Sequence, residues 1–371
     1  MYLEDIIREK YVIERIKEAF PESGIGDDTA VLPSIGGDLL FASDAVVEGV
    51  HFRRIYSTLS QAVQKAVTSN VSDIYAMGGK PLKILLTAGL PAGCDETDIE
   101  DVIDGLKKGS KAYGLELAGG DTVFSPGGFF FDISVIGQAE SGAAVKRSGG
   151  MKGDTLVVFG ECGGSLAGFS FLGSIFDSSG GKYFLDSLLP ADKEEIDGIK
   201  GVLPNLSILT TSAEIRKLAE KTGLHGKTAD IIEMIMRHIV PRAVRLDDRF
   251  LAPGGAKVTA MTDISDGLAE DLASLCGASS TGALIDAESI PLPAFLVSGE
   301  GIGEKERMEL SLTSGEEYSQ LAAVRDLDKK ELPEGAAIIG ELTGQEEGMM
   351  IRGSDGIAKK IVEAGFEHDF K

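Results

Sequence analysis

The chain has 371 residues, of which 43% are hydrophobic and 26% charged, so it is long enough for two domains and too apolar to be disordered. Its net charge of -23 argues against a nucleic-acid partner, which needs a basic surface, and leaves phosphorylated small molecules possible where metal ions intervene. The lack of an apolar run of about 20 residues, of a signal-peptide core in the first ten residues and of a cysteine framework predicts a cytoplasmic protein without a membrane span.

An acidic pair in a glycine turn, Asp27 and Asp28, precedes the first predicted strand. That strand, Leu39 to Ala42, reads as buried, yet Ser43 and Asp44 follow it before more apolar residues. An ionised carboxylate at the end of an apolar strand is costly unless a cation lies beside it. No lysine or arginine is close in the sequence, so the cation must come from elsewhere in the fold or from solution.

A third acid follows on a helix. Apolar residues at helical spacing from Ala62 to Met77 predict a helix that carries Asp73 near its C-terminal end, where the helix dipole again calls for a cation. Each acid taken alone could be a turn or cap residue. Together, three oxygen-rich segments without a local basic residue predict magnesium, which prefers carboxylate and water oxygens and usually bridges to substrate phosphates.

A short strand from Leu115 to Ala118 then leads to Gly119, Gly120 and Asp121, which read as a turn. Glycines there allow a bulky anion to approach the backbone, and Asp121 could hold an ion on that anion. The alternative is a plain tight turn before the next strand. A basic, glycine-containing stretch follows, and we place the domain boundary at Arg147, with residues 1–147 as the first domain and 148–371 as the second.

The second domain is predicted to contain an insertion at about residues 174–227, which carries no catalytic pattern and packs on that domain. After a strand from Lys257 to Met261, the acids Asp263 and Asp266 flank Ser265. Ser265 or Asp266 is expected to cap the helix that follows, but capping does not need two acids, so Asp263 and Asp266 together again indicate ions. A last helix is predicted from Ile357 to Ala364.

In their order along the chain, these motifs resemble those of the thiamine-monophosphate kinases, a family of the aminoimidazole-ribonucleotide-synthetase-like superfamily. The family usually has Gly-Gly-Glu-Asp-Tyr where this chain has Ser314-Gly315-Glu316-Glu317-Tyr318, so the loop on the substrate side differs. The other matching segments are Gly24-Ile25-Gly26-Asp27-Asp28, Ser43-Asp44 with Glu48-Gly49-Val50-His51, Asn70-Val71-Ser72-Asp73, Gly119-Gly120-Asp121-Thr122, Arg147-Ser148-Gly149, Asp263-Ile264-Ser265-Asp266-Gly267 and the closing Gly365-Phe366.

The resemblance implies an α+β fold of two domains. The N-terminal domain would bind metal and ATP and pair with its copy in a homodimer to form a barrel-like sheet, and the C-terminal domain would be α/β. The implied reaction is direct, magnesium-assisted, in-line transfer of the ATP γ-phosphoryl group to thiamine monophosphate, which gives thiamine diphosphate. The acceptor oxygen is already ionised, so no general base and no covalent residue are expected.

The resemblance also assigns residues to ligands. Phe366, Glu316 and His51 would contact thiamine monophosphate, although His51 could instead be a structural residue at the strand end. Gly120, Asp121, Arg147 and Ser265 would contact ATP. The magnesium ligands would be Ser43, Asp44, Asp73, Asp121, Asp263 and Asp266, with Asp27 or Asp28 as a further one.

Two alternatives stay open at this point. A ring-closing synthetase of purine synthesis also uses ATP and acidic metal sites. A non-catalytic nucleotide- or metal-binding protein could keep the fold, although the loss of metal acids expected for it is not seen in this sequence.

Overall fold

The computed structural model describes residues 15–16, 18–20, 36–176, 185, 193–221, 226–251, 257–298, 302–328, 330 and 332–361. The predicted turn with Asp27 and Asp28 and the predicted closing motif with Phe366 lie outside these residues. Two sheets dominate the described part, one formed between residues 38 and 139 and the other between residues 155 and 360. The predicted α+β class is confirmed. No described helix combines the length and apolar character of a membrane span.

The first sheet has four strands in the order β1-β4-β2-β3 and packs against two long helices. Thr58 begins the first helix in a capping box with Gln61, and Asp95 begins the second in a capping box with Asp98. The second helix ends at Gly114, whose left-handed φ of 66° closes it. The elements are β1 (Asp38–Val47), α1 (Leu59–Ala76), β2 (Lys80–Pro91), α2 (Glu96–Tyr113), β3 (Glu116–Ser125) and β4 (Phe130–Ala139).

Strand β1 is longer and more exposed than the sequence predicted. It runs on to Val47, so Ser43 and Asp44 lie within the strand and not after its end. Leu40 is buried, but Phe41 is 68% exposed, so the prediction of a buried strand was wrong. The reason is that β1 is an edge strand whose successive side chains alternate between a face covered by α1 and a face left open.

The residues predicted to form a glycine turn also lie within a strand. Strand β3 continues through Gly119, Gly120 and Asp121, and it pairs in parallel with β2 beyond a bulge. A Cβ atom on Gly120 would lie only 1.9 Å from the carbonyl oxygen of Leu86. Glycine is therefore required for the close pairing of β3 with β2 rather than for a turn.

The second domain is built on a seven-stranded sheet in the order β11-β10-β7-β9-β5-β8-β6. Its strand β5 is buried on both faces, because Leu156 and Val158 join one core while Val157 and Phe159 join the other. The elements are β5 (Thr155–Phe159), α3 (Gly164–Phe176), α4 (Lys193–Val202), α5 (Ser212–Lys221), α6 (Gly226–Ile239), α7 (Asp248–Leu251), β6 (Lys257–Ile264), α8 (Leu268–Ser279), β7 (Thr281–Asp286), α9 (Ala294–Ser298), α10 (Glu304–Thr313), β8 (Ser319–Arg325), β9 (Ala336–Gly344), β10 (Met349–Arg352) and β11 (Ala358–Lys360), with short 3-10 turns at Leu203–Asn205, Ala287–Ser289 and Gln345–Glu347.

The last predicted helix is wrong over its described part. Residues 358–360 form β11, which pairs antiparallel with β10 across a tight turn. These three residues are exposed, so the helical pattern seen in the sequence has no core to cover there.

The described part of the predicted insertion contains α4 and α5 and shares a helical core with α3 and α6. It also contacts the first domain through α1. The side-chain amide of Gln61 donates hydrogen bonds to the carbonyl oxygens of Leu203 (2.6 Å) and Leu206 (3.0 Å), and the amide N–H of Ile208 donates to Gln64 (2.8 Å). These residues therefore lie between the helices of the second domain and α1.

Candidate active site

Helix α1 joins the two domains through buried polar side chains. Of its 18 residues, 16 are buried, so the sheet of the first domain covers one side and the second domain the other. The polar side chains that reach the second domain recur three or four residues apart, which places them along one face of the helix. Their contacts include Lys65 with Glu316 (2.6 Å), Thr68 with the carbonyl oxygen of Pro241 (3.1 Å) and Ser72 with Asp263 (2.8 Å).

Three predicted metal acids meet near the C-terminal end of α1. Asp44 comes from β1, Asp73 from α1, and Asp263 from the end of β6. The side-chain amide of Asn70 fixes β1 against α1, because its Oδ1 accepts from the Asp44 N–H (2.9 Å) and its Nδ2 donates to the Asp44 carbonyl oxygen (3.2 Å). Sequence reasoning included Asn70 in the motif but gave it no role.

The carboxylates of this cluster act on one another. Burial, and then the charges of Asp263 and Asp44, raise the pKa of Asp73 to about 8. Burial raises the pKa of Asp263 to about 6, although the Ser72 hydroxyl and the charge of Arg147 oppose this rise. Partial desolvation, followed by the charge of Asp266, raises the pKa of Asp44. The cluster is therefore short of positive charge.

A cleft of about 620 Å³ opens beside these acids. It is lined by Asp73 and Asp263 on one side and by Arg147 and Ser148 on another. The Arg147 guanidinium donates from Nε to the Thr262 hydroxyl (3.1 Å), which holds it at the cleft. The volume suits a ligand of nucleotide size, and Arg147 is placed to meet an anionic part of it.

The loop after β6 is held by an acid that the sequence reasoning missed. Oδ2 of Asp271 accepts hydrogen bonds from the backbone N–H groups of Ser265 (3.0 Å), Asp266 (3.1 Å) and Gly267 (3.1 Å). The helix cap is Gly267 without a side-chain bond, so the prediction that Ser265 or Asp266 caps α8 was wrong. Burial, with the charges of Asp263 and Asp266, raises the pKa of Asp271 to about 8.

The predicted acceptor residues meet at the other end of the helix. The Lys65 ammonium donates to Glu316 Oε2 (2.6 Å) and to the carbonyl oxygen of His51 (2.9 Å). The His51 ring is fixed as well, since its Nδ1 accepts from the Val47 N–H (3.1 Å), which places the proton of a neutral ring on Nε2. No motif indicated Lys65, although a lysine within an apolar helical pattern was a signal for it.

Glu317, which with Ser314 departs from the family pattern, turns away from this group. It is buried, and its carboxylate accepts from the N–H of Ser165 (2.9 Å) and from the hydroxyl of Ser314, so it caps the start of α3. Burial raises the pKa of Glu317 to about 7. The departure therefore changes a helix cap and leaves Glu316 at the acceptor side.

Two predicted residues lie apart from the acidic cluster within one chain. In the sheet register, Asp44 lies opposite Ile133, Ile133 opposite Leu86, and Leu86 opposite Gly120. With neighbouring strands about 4.8 Å apart, Gly120 and the adjacent Asp121 are roughly 14 Å from Asp44. The exposed Asp121 carboxylate accepts from its neighbour's backbone N–H (2.8 Å).

Ser43 also points elsewhere. Its hydroxyl donates to Asp132 (2.9 Å) and shares a hydrogen bond with Ser134 (2.9 Å), both on β4. Because side chains alternate along β1, Ser43 and Asp44 lie on opposite faces of the strand. The structure thus brings Asp44, Asp73 and Asp263 together and leaves the Ser43 side chain outside this group.

The donor set fits magnesium held partly by substrate. Within the described ranges, no three His, Cys, Asp or Glu side chains form a ready-made metal cage. Magnesium usually keeps several waters and takes only one or two carboxylates together with substrate phosphates. Separate carboxylates whose pKa values are raised by burial and by neighbouring acids, beside an open cleft, match that mode of binding.

Comparison with known proteins identifies the two domains. The sequence models for AIR synthase related protein match in two parts, the N-terminal domain over residues 26–139 and the C-terminal domain over residues 202–352. The thiamine-monophosphate kinase of Aquifex aeolicus is 30% identical over 84% of this chain and 83% of its own length, and that of Leptospira interrogans is 29% identical over 96% of each. The Bacillus subtilis enzyme is 38% identical, but over 40% of this chain and 46% of its own length.

Solved structures agree with the sequence comparison. The structure of AaThiL complexed with AMPPCP and TMP superposes with a TM-score of 0.65 at 25% identity, and the match covers 98% of this chain and 99% of the other. The crystal structure of thiamine monophosphate kinase from Aquifex aeolicus gives a TM-score of 0.63 at 25% identity over 97% and 100% of the two chains. The predicted two-domain fold is confirmed.

Proposed function

Because this chain is a kinase of the thiamine-monophosphate kinase family, we propose that it transfers the γ-phosphoryl group of ATP to thiamine monophosphate, which yields ADP and thiamine diphosphate. The observation that carries the proposal is the placement of Asp44, Asp73 and Asp263 at one end of α1 and of His51 and Glu316 near the other. One helix thus separates a site for cations and nucleotide from a site for the acceptor. The cytoplasmic location stays a prediction.

The chemistry follows from charge. Donor and acceptor are both phosphates, so their approach is opposed mainly by electrostatic repulsion. Bound magnesium would supply positive charge that offsets this repulsion and would align donor with acceptor. Asp44, Asp73 and Asp263 would hold the ions on the cleft wall. Asp266 and one of the pair at positions 27 and 28 would add ligands.

Protein residues do the remaining positioning. Arg147 would contact the ATP phosphates from the cleft wall, and the loop held by Asp271 would present Ser265 to the nucleotide. On the acceptor side, Nε2 of His51 would donate to the acceptor phosphate, while Glu316 would meet the polar groups of the thiamine moiety. Since the attacking oxygen is already ionised, direct in-line transfer needs no general base.

The position of Asp121 supports a homodimer. In one chain, Asp121 and Gly120 lie on one edge strand and Asp44 on the other. Both edges expose large apolar side chains, with Phe41 68% exposed on β1 and Phe124 71% exposed on β3. Such patches mark interaction surfaces on long edge strands. We propose that two copies join these edges into a barrel and that Asp121 of the second copy completes the metal and nucleotide site.

The test is a product assay with purified protein, ATP, magnesium and thiamine monophosphate. Formation of equal amounts of thiamine diphosphate and ADP supports the kinase. ATP binding without thiamine diphosphate would overturn the proposal and favour a nucleotide-binding protein. ATP turnover only with an amidine ribonucleotide would favour the ring-closing synthetase instead.

A further inference from the structure

Lys65 is a buried lysine in the second turn of α1. Its side chain is only 1% exposed, which is rare for lysine unless the ammonium is paired. Burial lowers the pKa of Lys65, and the charge of Glu316 opposes that change. A charged group in such a position costs stability by itself, so its contacts indicate why it is there.

Lys65 connects the two segments that carry the acceptor residues. Its ammonium donates to Glu316 Oε2 at 2.6 Å and to the backbone carbonyl oxygen of His51 at 2.9 Å. His51 lies in the turn after β1, and Glu316 lies in the loop between α10 and β8. The ammonium therefore fixes the distance between two loops from different domains.

Glu316 needs this anchor because its backbone is strained. Its φ of 58° lies in the left-handed region, which side chains other than glycine rarely adopt. The backbone N–H of Glu316 donates to the carbonyl oxygen of Ser265 at 2.7 Å, which ties the loop to the nucleotide side. The loop is thus held at the backbone by Ser265 and at the side chain by Lys65.

A second neighbour does not replace the lysine. Nδ1 of His238 lies 3.4 Å from the same Oε2 of Glu316 and 3.2 Å from the hydroxyl of Ser165. Burial, together with the charge of Lys65, lowers the pKa of His238 well below its usual range, so this ring stays neutral. Lys65 is therefore the cation that balances the Glu316 carboxylate.

One carboxylate oxygen remains for the acceptor. Both contacts involve Oε2, and no residue in the described ranges donates a hydrogen bond to Oε1. The Glu316 side chain is 23% exposed, so it is reachable from outside. We propose that Lys65 is a positioning residue for the phosphate acceptor: it holds Glu316 and the His51 turn at the separation that binds thiamine monophosphate. This inference rests on the proposed function.

The test compares Lys65→Met, Glu316→Gln and the double variant in steady-state kinetics. We expect Lys65→Met to raise the KM for thiamine monophosphate by about tenfold or more, as for the loss of a charged hydrogen bond, while the KM for ATP changes less than about twofold. Because Lys65 acts largely through Glu316, the KM of the double variant for thiamine monophosphate should exceed that of Glu316→Gln alone by no more than about twofold. Two results would overturn the inference. One is an equal rise in the KM values of Lys65→Met for thiamine monophosphate and for ATP. The other is a KM in the double variant that rises by the product of the two single effects.

Two further variants separate this role from a structural one. Lys65→Gln keeps N–H donors for both partners and should give a KM between those of the wild type and Lys65→Met. It carries the same test if the methionine variant does not fold, and a wild-type KM in Lys65→Gln would contradict the inference. Arg325→Met is the matched control, because it breaks an ion pair with the buried Asp154 carboxylate (2.9 Å) and should lower thermal stability without a selective change in KM.

The wild-type assay distinguishes the two levels of the argument. If the wild-type protein forms no thiamine diphosphate, the proposed function fails and the role of Lys65 fails with it. If the wild type is active and both Lys65 variants keep its KM for thiamine monophosphate, only the role of Lys65 is wrong.

Discussion

The two ends of α1 differ in how their charges are balanced. At the C-terminal end, burial raises the pKa values of Asp44, Asp73 and Asp263, the charge of Asp44 adds to the rise at Asp73 and Asp263, and the charge of Arg147 opposes it at both. At the N-terminal end, the Lys65 ammonium balances the Glu316 carboxylate directly. We propose that ions from solution complete the first group, whereas the second is balanced within the chain. The metal side should therefore respond to pH and metal, and the acceptor side should not.

Replacing Asp44 by asparagine should have the largest effect. We expect turnover to fall about a thousandfold or more, since removal of a metal-holding charge costs on the order of 4 kcal/mol in the transition state. Thermal unfolding should stay nearly unchanged or rise in temperature, because a crowded acid loses its charge. The control is Asp38→Asn, at the half-buried start of the same strand. Retained activity of Asp44→Asn at saturating magnesium would count against the assignment.

Mixing two inactive variants tests whether the site is shared between copies. In a 1:1 mixture of Asp44→Asn and Asp121→Asn chains, half of the dimers contain both, and each of these has one intact site. We therefore expect about a quarter of wild-type turnover after subunit exchange. The control mixture of Asp44→Asn with Asp73→Asn should stay inactive, because both changes affect the same-chain cluster. Background activity in the first mixture would show that Asp121 does not act across the dimer.

The pH dependence of stability should separate the two ends. Folding raises the pKa of Asp73 to about 8. The side chain of an unfolded Asp titrates near pH 4. The stability that the protonated Asp73 carboxyl contributes is therefore full below pH 4 and is lost as the pH rises through 8. Asp73→Asn should remove that loss, which is worth about 3 kcal/mol at pH 9 if relaxation halves the full shift. Chemical unfolding of metal-free protein from pH 5 to 9 measures it, with exposed Asp197→Asn as the control. Parallel curves for wild type and variant would contradict the prediction.

Neighbouring glutamates should give the smallest and most contrasting effects. Glu317→Ala removes the carboxylate that accepts from Ser165 at the start of α3, and it should lower the free energy of unfolding by about 2 kcal/mol with turnover within about twofold. Glu316→Gln should also lower the free energy of unfolding, because it leaves the buried Lys65 ammonium without its counter-charge, but unlike Glu317→Ala it should raise the KM for the acceptor. Denaturant titration of both variants would measure the change in unfolding free energy, and initial rates would measure the change in KM. A catalytic defect in Glu317→Ala would mean that the departure from the family pattern reaches the substrate.

The sequence singled out the acids that we propose hold metal because their neighbours are informative. Helical spacing around Asp73 predicted α1, and the order of the motifs predicted the two-domain fold. Asp263 stood out because it follows an apolar strand. These signals are local, and only Asp73 lies in the kind of element that its neighbours indicated, because Asp44 and Asp263 lie within β1 and β6 and not after them.

What the sequence could not show depends on contacts between distant segments. Asp121 looked like a partner of Asp44, but strand order within the sheet puts two strands between them. The role of Lys65 was not predicted, because its partners lie in a turn and a loop that no periodicity brings together. The sequence also gives no sign that Asp271 accepts three backbone hydrogen bonds from the loop that precedes α8.

Helix α1 also sets how the molecule can move. Its 18 residues form a rod of about 27 Å, and it is bonded to the second domain at several levels, including Gln61, Thr68 and Ser72. A hinge opening between the domains would have to break all of these bonds together. Substrates should therefore enter a gap whose width is already set, and exchange of ADP for ATP should not require the domains to swing apart.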